Sequence, residues 1–297
     1  ILDDGVEQDL HFLSPLRQLR LLDLRYSDMP GGLNLAGLEN LKQLEVLNLA
    51  GWDGGITRWS NNRNQPEFVD LLPLLASLEN LRELDLSRKA PTIPINVTPL
   101  GKLRKLERIE LDQTEVKGGS LPYWPSLRSA SLPPNLTDDG LAQFVRQHPE
   151  LTRLRLRGGN AGGHSVFFMP LKADISPLRK LTKLRVLELE CDDLSLVGNM
   201  PFLTKIQILP VLESWGGVLN LDTAPARRLR ALRYFDVGGT YWSLRLPAWQ
   251  NVFTVRMVTL FALHEQSGIV AGLPWDRGVH LFPPSLRPAN EANVPGS

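Results

Sequence analysis

The chain has 297 residues, of which 42% are hydrophobic, and its 33 Lys and Arg against 32 Asp and Glu leave a formal net charge of +1. That balance gives no bulk pull toward nucleic acid or an acidic membrane, and the single cysteine, Cys191, excludes a disulfide within the chain. The strongest apolar run, residues 252–263, is broken by Arg256 and falls short of the roughly 18 apolar residues of a membrane span.

A Leu-rich phrase with apolar spacing three, three, two returns ten times along the chain. In order, the copies are Leu16, Leu19, Leu22, Leu24; Leu41, Leu44, Leu47, Leu49; Leu78, Leu81, Leu84, Leu86; Leu103, Leu106, Ile109, Leu111; and Trp124, Leu127, Ala130, Leu132. They continue as His148, Leu151, Leu154, Leu156; Leu181, Leu184, Leu187, Leu189; Met200, Leu203, Ile206, Ile208; Leu229, Leu232, Phe235, Val237; and Trp249, Val252, Val255, Met257. The closing step of two is a strand period that puts both residues on one face, whereas steps of three suit a turn or helix leading into it. Each copy therefore supplies one short strand. A unit this small cannot bury its own apolar edge, so the copies must stack into a solenoid around a shared ladder of Leu. Intervals between closing residues run 25, 37, 25, 21, 24, 33, 19, 29 and 20, so the repeat is irregular.

Between and beyond the copies, the chain carries insertions and ends of distinct character. It begins Ile1, Leu2, Asp3, Asp4, Gly5 without a polar cap and is in rhythm by Leu10 and Leu13. A solenoid needs a cover on its first coil, and the expectation is a continuation or a further domain upstream. The first insertion, residues 51–66, holds Trp52 and Trp59 and leads into an apolar segment, 68–75, expected to be helical. The second, 158–174, is Gly-rich and contains Phe167 and Phe168; the third, 209–223, holds Trp215. Aromatic residues in such loops either contact partners or anchor the loop to the scaffold. The repeats define a solenoid over 1–263, followed by a capping segment over 264–287 and a disordered tail over 288–297.

The phrase resembles the leucine-rich repeat family, whose pattern Leu-x-x-Leu-x-Leu-x-x-Asn is carried by residues 81–86 and their relatives. Residues 175–189 look like the short repeats of internalin-type and protein-phosphatase-regulator proteins. Residues 136–151 look like the longer, helix-bearing repeats of ribonuclease-inhibitor and F-box-associated proteins. The resemblance implies an α/β fold: a curved solenoid of about ten repeats, a parallel β-sheet on its concave face, and helix, 3-10 and loop on its convex face. The family's turn Asn is replaced by Ser27, Trp52, Lys89, Thr114, Gly159 and Asp192. Only Ser, Thr and Asp among these can bond nearby backbone in a similar way, so the turns are expected to be uneven.

Alternation along each strand assigns Asp23, Asn48, Asp85, Glu110, Ser131, Arg155, Glu188, Gln207, Asp236 and Arg256 to the concave face, pointing away from the core. Adding positions two residues to either side gives an arginine row, Arg153, Arg155 and Arg157, between acidic rows, with Glu83, Asp85, Arg108, Glu110 and Asp112 on one side and Glu188 and Glu190 on the other. Parallel neighbours lie about 4.7–4.9 Å apart, so Arg155 is expected to pair with Glu188 and Arg157 with Glu190, with Arg155 and Glu188 exposed between buried Leu154, Leu156, Leu187 and Leu189. These charged residues other than Glu83 and Arg108, with Trp52 and Trp59, are the candidate partner-binding set. Exposed ion pairs of this kind also form as bland surface chemistry worth about 0–1 kcal/mol each.

Chemistry finds little in the sequence. The 5 His residues are scattered, Cys191 has no local Cys or His companion, and His148 occupies a repeat position where a helix-end role is expected. The glycines at 158, 159, 162 and 163 miss the phosphate-loop and dinucleotide spacings. The expectation is a non-catalytic recognition module without cofactor or metal, binding another protein through the concave face and adjacent loops, with no nucleic-acid role and no membrane insertion. The resemblance also admits the C-terminal sensor of a larger nucleotide-switch immune receptor, or the substrate-recruiting part of a ubiquitin ligase or bacterial effector. One cysteine points to the cytoplasm. The Asn-x-Thr triplets at Asn96 and Asn135 keep a secreted or cell-surface alternative open.

Overall fold

The computed structural model describes residues 10–25, 37–51, 57–58, 67–68, 72–88, 94–158, 174–190, 195, 197–209, 219–222, 228–238, 241–245 and 254–258. The strands among them are, in chain order, β1 (Leu21–Asp23), β2 (Val46–Asn48), β3 (Thr57–Arg58), β4 (Glu67–Phe68), β5 (Glu83–Asp85), β6 (Arg108–Glu110) and β7 (Ser129–Ser131). The series continues with β8 (Arg153–Leu156), β9 (Val186–Glu190), β10 (Lys205–Leu209), β11 (Leu219–Asp222), β12 (Tyr234–Gly238), β13 (Tyr241–Arg245) and β14 (Thr254–Val258). The α-helices are α1 (Leu72–Leu75) and α2 (Asp138–Gln147).

Ten strands form one sheet in the order β1, β2, β5, β6, β7, β8, β9, β10, β12, β14. Every pairing in it is parallel, so each connection brings the chain back to the same edge and adds one coil. The register aligns the repeat copies: Leu22, Leu47, Leu84, Ile109, Ala130, Leu154, Leu187, Ile206, Phe235 and Val255 follow one another across the sheet. From Leu47 to Phe235 this line is fully buried and forms the spine of the core.

The steps of three have a direct backbone cause. In the nine coils whose ladder residues are described, an amide three residues on donates to the carbonyl of the preceding ladder residue, as in Leu81 to Leu78, Leu106 to Leu103 and Leu184 to Leu181. These are 3-10-type bonds, and they carry the chain inward on apolar side chains before the strand begins. A second regularity joins coil to coil. The carbonyl just ahead of each main-sheet strand from β1 to β10 accepts two amides from the next coil: Arg20 from Glu45 and Val46, Glu45 from Arg82 and Glu83, and so on to Thr204 from Arg233 and Tyr234. One shared carbonyl per coil fixes the axial step and so holds neighbouring copies in register.

Where the ladder departs from Leu, the replacement brings its own hydrogen bonds. Trp124 is 1% exposed and its Nε1 donates to the Leu100 carbonyl at 2.9 Å, while its backbone amide donates to His148 Nε2 at 3.0 Å. His148 closes α2, with Nδ1 2.8 Å from the Phe144 carbonyl, so the ring is held as the Nδ1–H tautomer at the end of a helix, the role expected of it. The start of α2 is set by Thr137, whose Oγ1 accepts the Gly140 amide at 3.0 Å. Gly140 packs against the backbone of Gly119, and a Cβ added there would lie 2.1 Å from the Gly119 carbonyl oxygen.

Several sequence expectations need correction. Leu16 is 50% exposed, and Leu19, Leu22 and Leu24 are only partly buried, because β1 has one sheet neighbour among the described residues. Among the described residues of the segment expected to be helical over 68–75, Leu72–Leu75 are helical, whereas Phe68 belongs to an antiparallel pair, Thr57 with Phe68 and Arg58 with Glu67. The third insertion contains β11, which pairs in parallel with β13 outside the main sheet. Asn135 is bound on both sides by one backbone unit: it accepts the Val116 amide at 3.0 Å and donates to the Val116 carbonyl at 2.9 Å. That engagement gives the Asn-x-Thr triplet at 135 a structural purpose.

Of the turn positions, Thr114 is fully buried and its hydroxyl donates to the Leu86 carbonyl at 2.7 Å, serving the backbone as expected. The turn residues Ser27, Trp52, Lys89, Gly159 and Asp192, together with Trp59, the loop aromatics Phe167 and Phe168, the start 1–9, the cap 264–287 and the tail 288–297, lie outside the described residues.

Candidate functional site

Strand alternation places two rows of side chains on the concave face. The central row is Asp23, Asn48, Asp85, Glu110, Ser131, Arg155, Glu188 and Gln207. The flank row lies two residues earlier on each strand: Leu21, Val46, Glu83, Arg108, Ser129, Arg153, Val186, Lys205 and Tyr234.

The first three central residues serve the turns that follow them. Asp23 accepts the Arg25 amide at 3.1 Å, Asn48 the Ala50 amide at 2.9 Å and Asp85 the Ser87 amide at 2.9 Å. These are Asx turns, which bend the chain away at the strand end. The Asp23 carboxyl is held below its ordinary pKa, chiefly by the Arg25 side-chain hydrogen bond. Asp85 is thus a turn residue first.

From β6 to β9 the central residues turn to one another. Arg155 Nε donates to Glu188 Oε2 at 2.5 Å, the pair the sequence predicts. The expected pairing of Arg157 with Glu190 involves a side chain outside the described residues; among the described residues Arg157 Nη1 donates to Asp112 Oδ2 at 3.0 Å. That contact skips a strand, because the position between Asp112 and Arg157 is Pro133, which has no long side chain to intervene. Arg108 Nε donates to Glu110 Oε1 at 2.9 Å, with Glu83 3.8 Å away on the other side. Gln113, at positive φ of 56°, donates to the Gly158 carbonyl at 3.1 Å and closes the rim of the cluster.

The cluster is deeper than alternation implies. Arg155 and Glu188 were expected to be exposed, yet Glu188 is 6% exposed, Glu110 9% and Ser131 1%, and Arg155 is half-buried. Their mutual pairing and the short Ser131 side chain at the centre let the longer groups fold down over the sheet. Burial pushes the Glu110 carboxyl above its ordinary pKa, opposed by the Arg108 hydrogen bond and the charges of Arg108 and Arg155. Burial is the largest single influence on Arg155 and works against its charge, but the Glu188 hydrogen bond and the charges of Glu188, Glu110 and Asp112 together outweigh it, and the guanidinium pKa is raised. Asp112 Oδ1 and Ser131 Oγ are buried without a hydrogen-bond partner, the least relaxed point of the cluster.

The structure therefore brings Glu110, Asp112, Arg155, Arg157 and Glu188 together and leaves Arg153 apart. Arg153 is exposed on the flank row, and its side chain makes no hydrogen bond or ion pair among the described residues. Lys205 and Tyr234 continue that row, and sequence reasoning passed over them because it followed charges only as far as the seventh strand. The signal was present: both stand two residues ahead of a central concave position. Among the described residues no group of three or more His, Cys, Asp or Glu could hold a metal, and no helix is long and apolar enough to cross a membrane.

No protein-family model and no curated protein matches the chain. Solved structures similar to it include an internalin (inlF) of Listeria monocytogenes, with 19% identity and a TM-score of 0.39 over 77% of this chain and 70% of that one. Internalin C2 of the same organism has 19% identity and a TM-score of 0.38 over 73% and 80%. A leucine-rich-repeat protein of Leptospira interrogans has 14% identity and a TM-score of 0.41 over 86% and 72%. The ten-copy phrase, realised as ten parallel strands whose apolar line is buried from Leu47 to Phe235, gives this chain the fold of a leucine-rich-repeat solenoid.

Proposed function

We propose that the chain is a protein-recognition module that receives a partner on its concave face. The observation that supports this most is the division of labour on that face: a self-paired, half-buried central cluster gives a rigid floor, and a flank row beside it carries exposed side chains. A floor of this kind reduces the ordering cost of binding because its charges are already fixed. Arg153 is the direct contact in this reading; Asp85, Glu110, Asp112, Arg155, Arg157 and Glu188 shape the surface beneath. Glu190, Trp52 and Trp59 are accessory contacts proposed on sequence alone. With Cys191 as its single cysteine, the module suits a reducing, cytoplasmic setting.

The test is a steric block. Ser129→Trp places a large ring in the flank row at β7, and Arg146→Trp places the same ring on an exposed position of α2. Capture of partners from native extract, quantified by mass spectrometry, should fall at least tenfold for Ser129→Trp and stay unchanged for Arg146→Trp, with thermal melts confirming that both fold. Equal capture by the two variants would contradict a concave site.

A further inference from the structure

The flank row carries charge that the fold does not neutralise. Four of the six described concave cations are committed: Arg25 to Asp23, Arg108 to Glu110 and Glu83, Arg155 to Glu188, and Arg157 to Asp112. The other two, Arg153 and Lys205, make no side-chain hydrogen bond or ion pair among the described residues, although carboxylates lie in the adjacent central row. Register explains why. Arg153 stands opposite Val186, and Val186 opposite Lys205, so the two cations share one row with an apolar residue between them. Glu188, the central carboxylate on the strand between them, is 6% exposed and occupied by Arg155. Beyond Lys205 the same row continues to Tyr234, which is 51% exposed.

Resting on the concave-face reading above, we infer that Arg153, Val186, Lys205 and Tyr234 form a docking strip for an extended acidic segment of a partner protein. Strand spacing sets the two cations about 9–10 Å apart at their backbones. An extended peptide places alternate side chains about 6.5–7 Å apart on one side, a gap that long Arg and Lys side chains close by leaning inward. Two carboxylates at alternate positions therefore engage both cations, Val186 meets the backbone between them, and Tyr234 offers a ring to an apolar residue at the end of the motif. Charge complementarity selects this occupant. A nucleic-acid strand brings a continuous run of phosphates, and among the described residues it would meet two free cations, Arg153 and Lys205, beside the carboxylates of Glu110, Asp112 and Glu188.

The probe is an acetylated, amidated peptide with glutamate at two alternate positions in a valine and threonine background, together with its twin carrying glutamine at both. Each is titrated to millimolar concentration into the isotope-labelled chain at low salt, and backbone amide shifts are followed. The glutamate peptide should move the amides of 153, 186, 205 and 234, bind at least tenfold tighter than the glutamine twin, and lose that preference in Arg153→Ala/Lys205→Ala but not in Arg146→Ala. Equal binding of the two peptides, or a preference retained in the double variant, would overturn the strip. Tighter binding of a single-stranded RNA oligonucleotide of matching charge would overturn the protein assignment. If Ser129→Trp abolishes capture of native partners while Arg153→Ala/Lys205→Ala leaves it intact, the concave reading stands and the acidic strip falls. If neither variant affects capture, both fall.

Discussion

Arg155→Ala is the sharpest perturbation of the central cluster, because it strands a carboxylate that the fold has already removed from water. The Glu188 side chain is 8% exposed and that of Arg155 37%, so the pair lies between two known limits. Exposed ion pairs contribute about 0–1 kcal/mol, whereas removing one partner of a buried pair costs about 3–5 kcal/mol. Arg155→Ala leaves the buried partner alone and should cost about 2–3 kcal/mol. Glu188→Ala leaves a guanidinium more than a third exposed, with Glu110 and Asp112 still near it, and should cost about 1–2 kcal/mol. The double variant removes both charges together, so its cost should fall about 1–2 kcal/mol short of the sum. Urea denaturation of wild type, both singles and the double variant reads all three quantities. Additive effects, or a larger loss from Glu188→Ala than from Arg155→Ala, would refute a latch in which the carboxylate is the buried member.

Gly140→Ala should destabilise by about 1–3 kcal/mol, although Ala normally gains up to about 1 kcal/mol over Gly inside a helix, because the new Cβ would meet the Gly119 carbonyl oxygen at 2.1 Å; a raised melting temperature would contradict this packing. His148 is held neutral mainly by burial, which lowers its pKa, with the Phe144 hydrogen bond opposing. Its contribution is therefore complete above the unfolded value near 6.5 and declines as pH falls from there toward the lowered folded value. Stability measured between pH 7.5 and 5 should show a slope of up to about 1.4 kcal/mol per pH unit that is absent in His148→Gln. Asn135→Ala removes both side-chain bonds to the Val116 backbone and should cost about 1–2 kcal/mol by urea denaturation, while Asn96→Ala, which loses one exposed bond to the Thr98 amide, should cost less than half as much.

What could be read from the sequence follows from which interactions have a period. The Leu ladder was legible because every coil repeats the same three-residue step and the same strand period, and even Trp124 and His148 were found in register. Face was legible for the same reason, but depth was not. Alternation assigns Glu188 and Arg155 to one side of the sheet, and only their mutual pairing over the small Ser131 draws Glu188 down to 6% exposure. Arg155 with Glu188 was found because the two stand on adjacent strands. Arg157 with Asp112 was missed because that bond crosses a whole coil above Pro133, and nearest-neighbour reasoning does not look so far. The pairs β3 with β4 and β11 with β13 had no periodic signal, being two to five residues long inside irregular insertions.

The most direct measurement is site-specific photo-crosslinking. A benzophenone side chain replaces Ser129 in the concave flank row or Arg146 on α2, in separate preparations irradiated in native extract. The account predicts a discrete crosslinked protein partner from position 129, competed away by unmodified chain, and none from 146. A partner crosslinked from 146 with nothing from 129 would contradict recognition through the concave sheet.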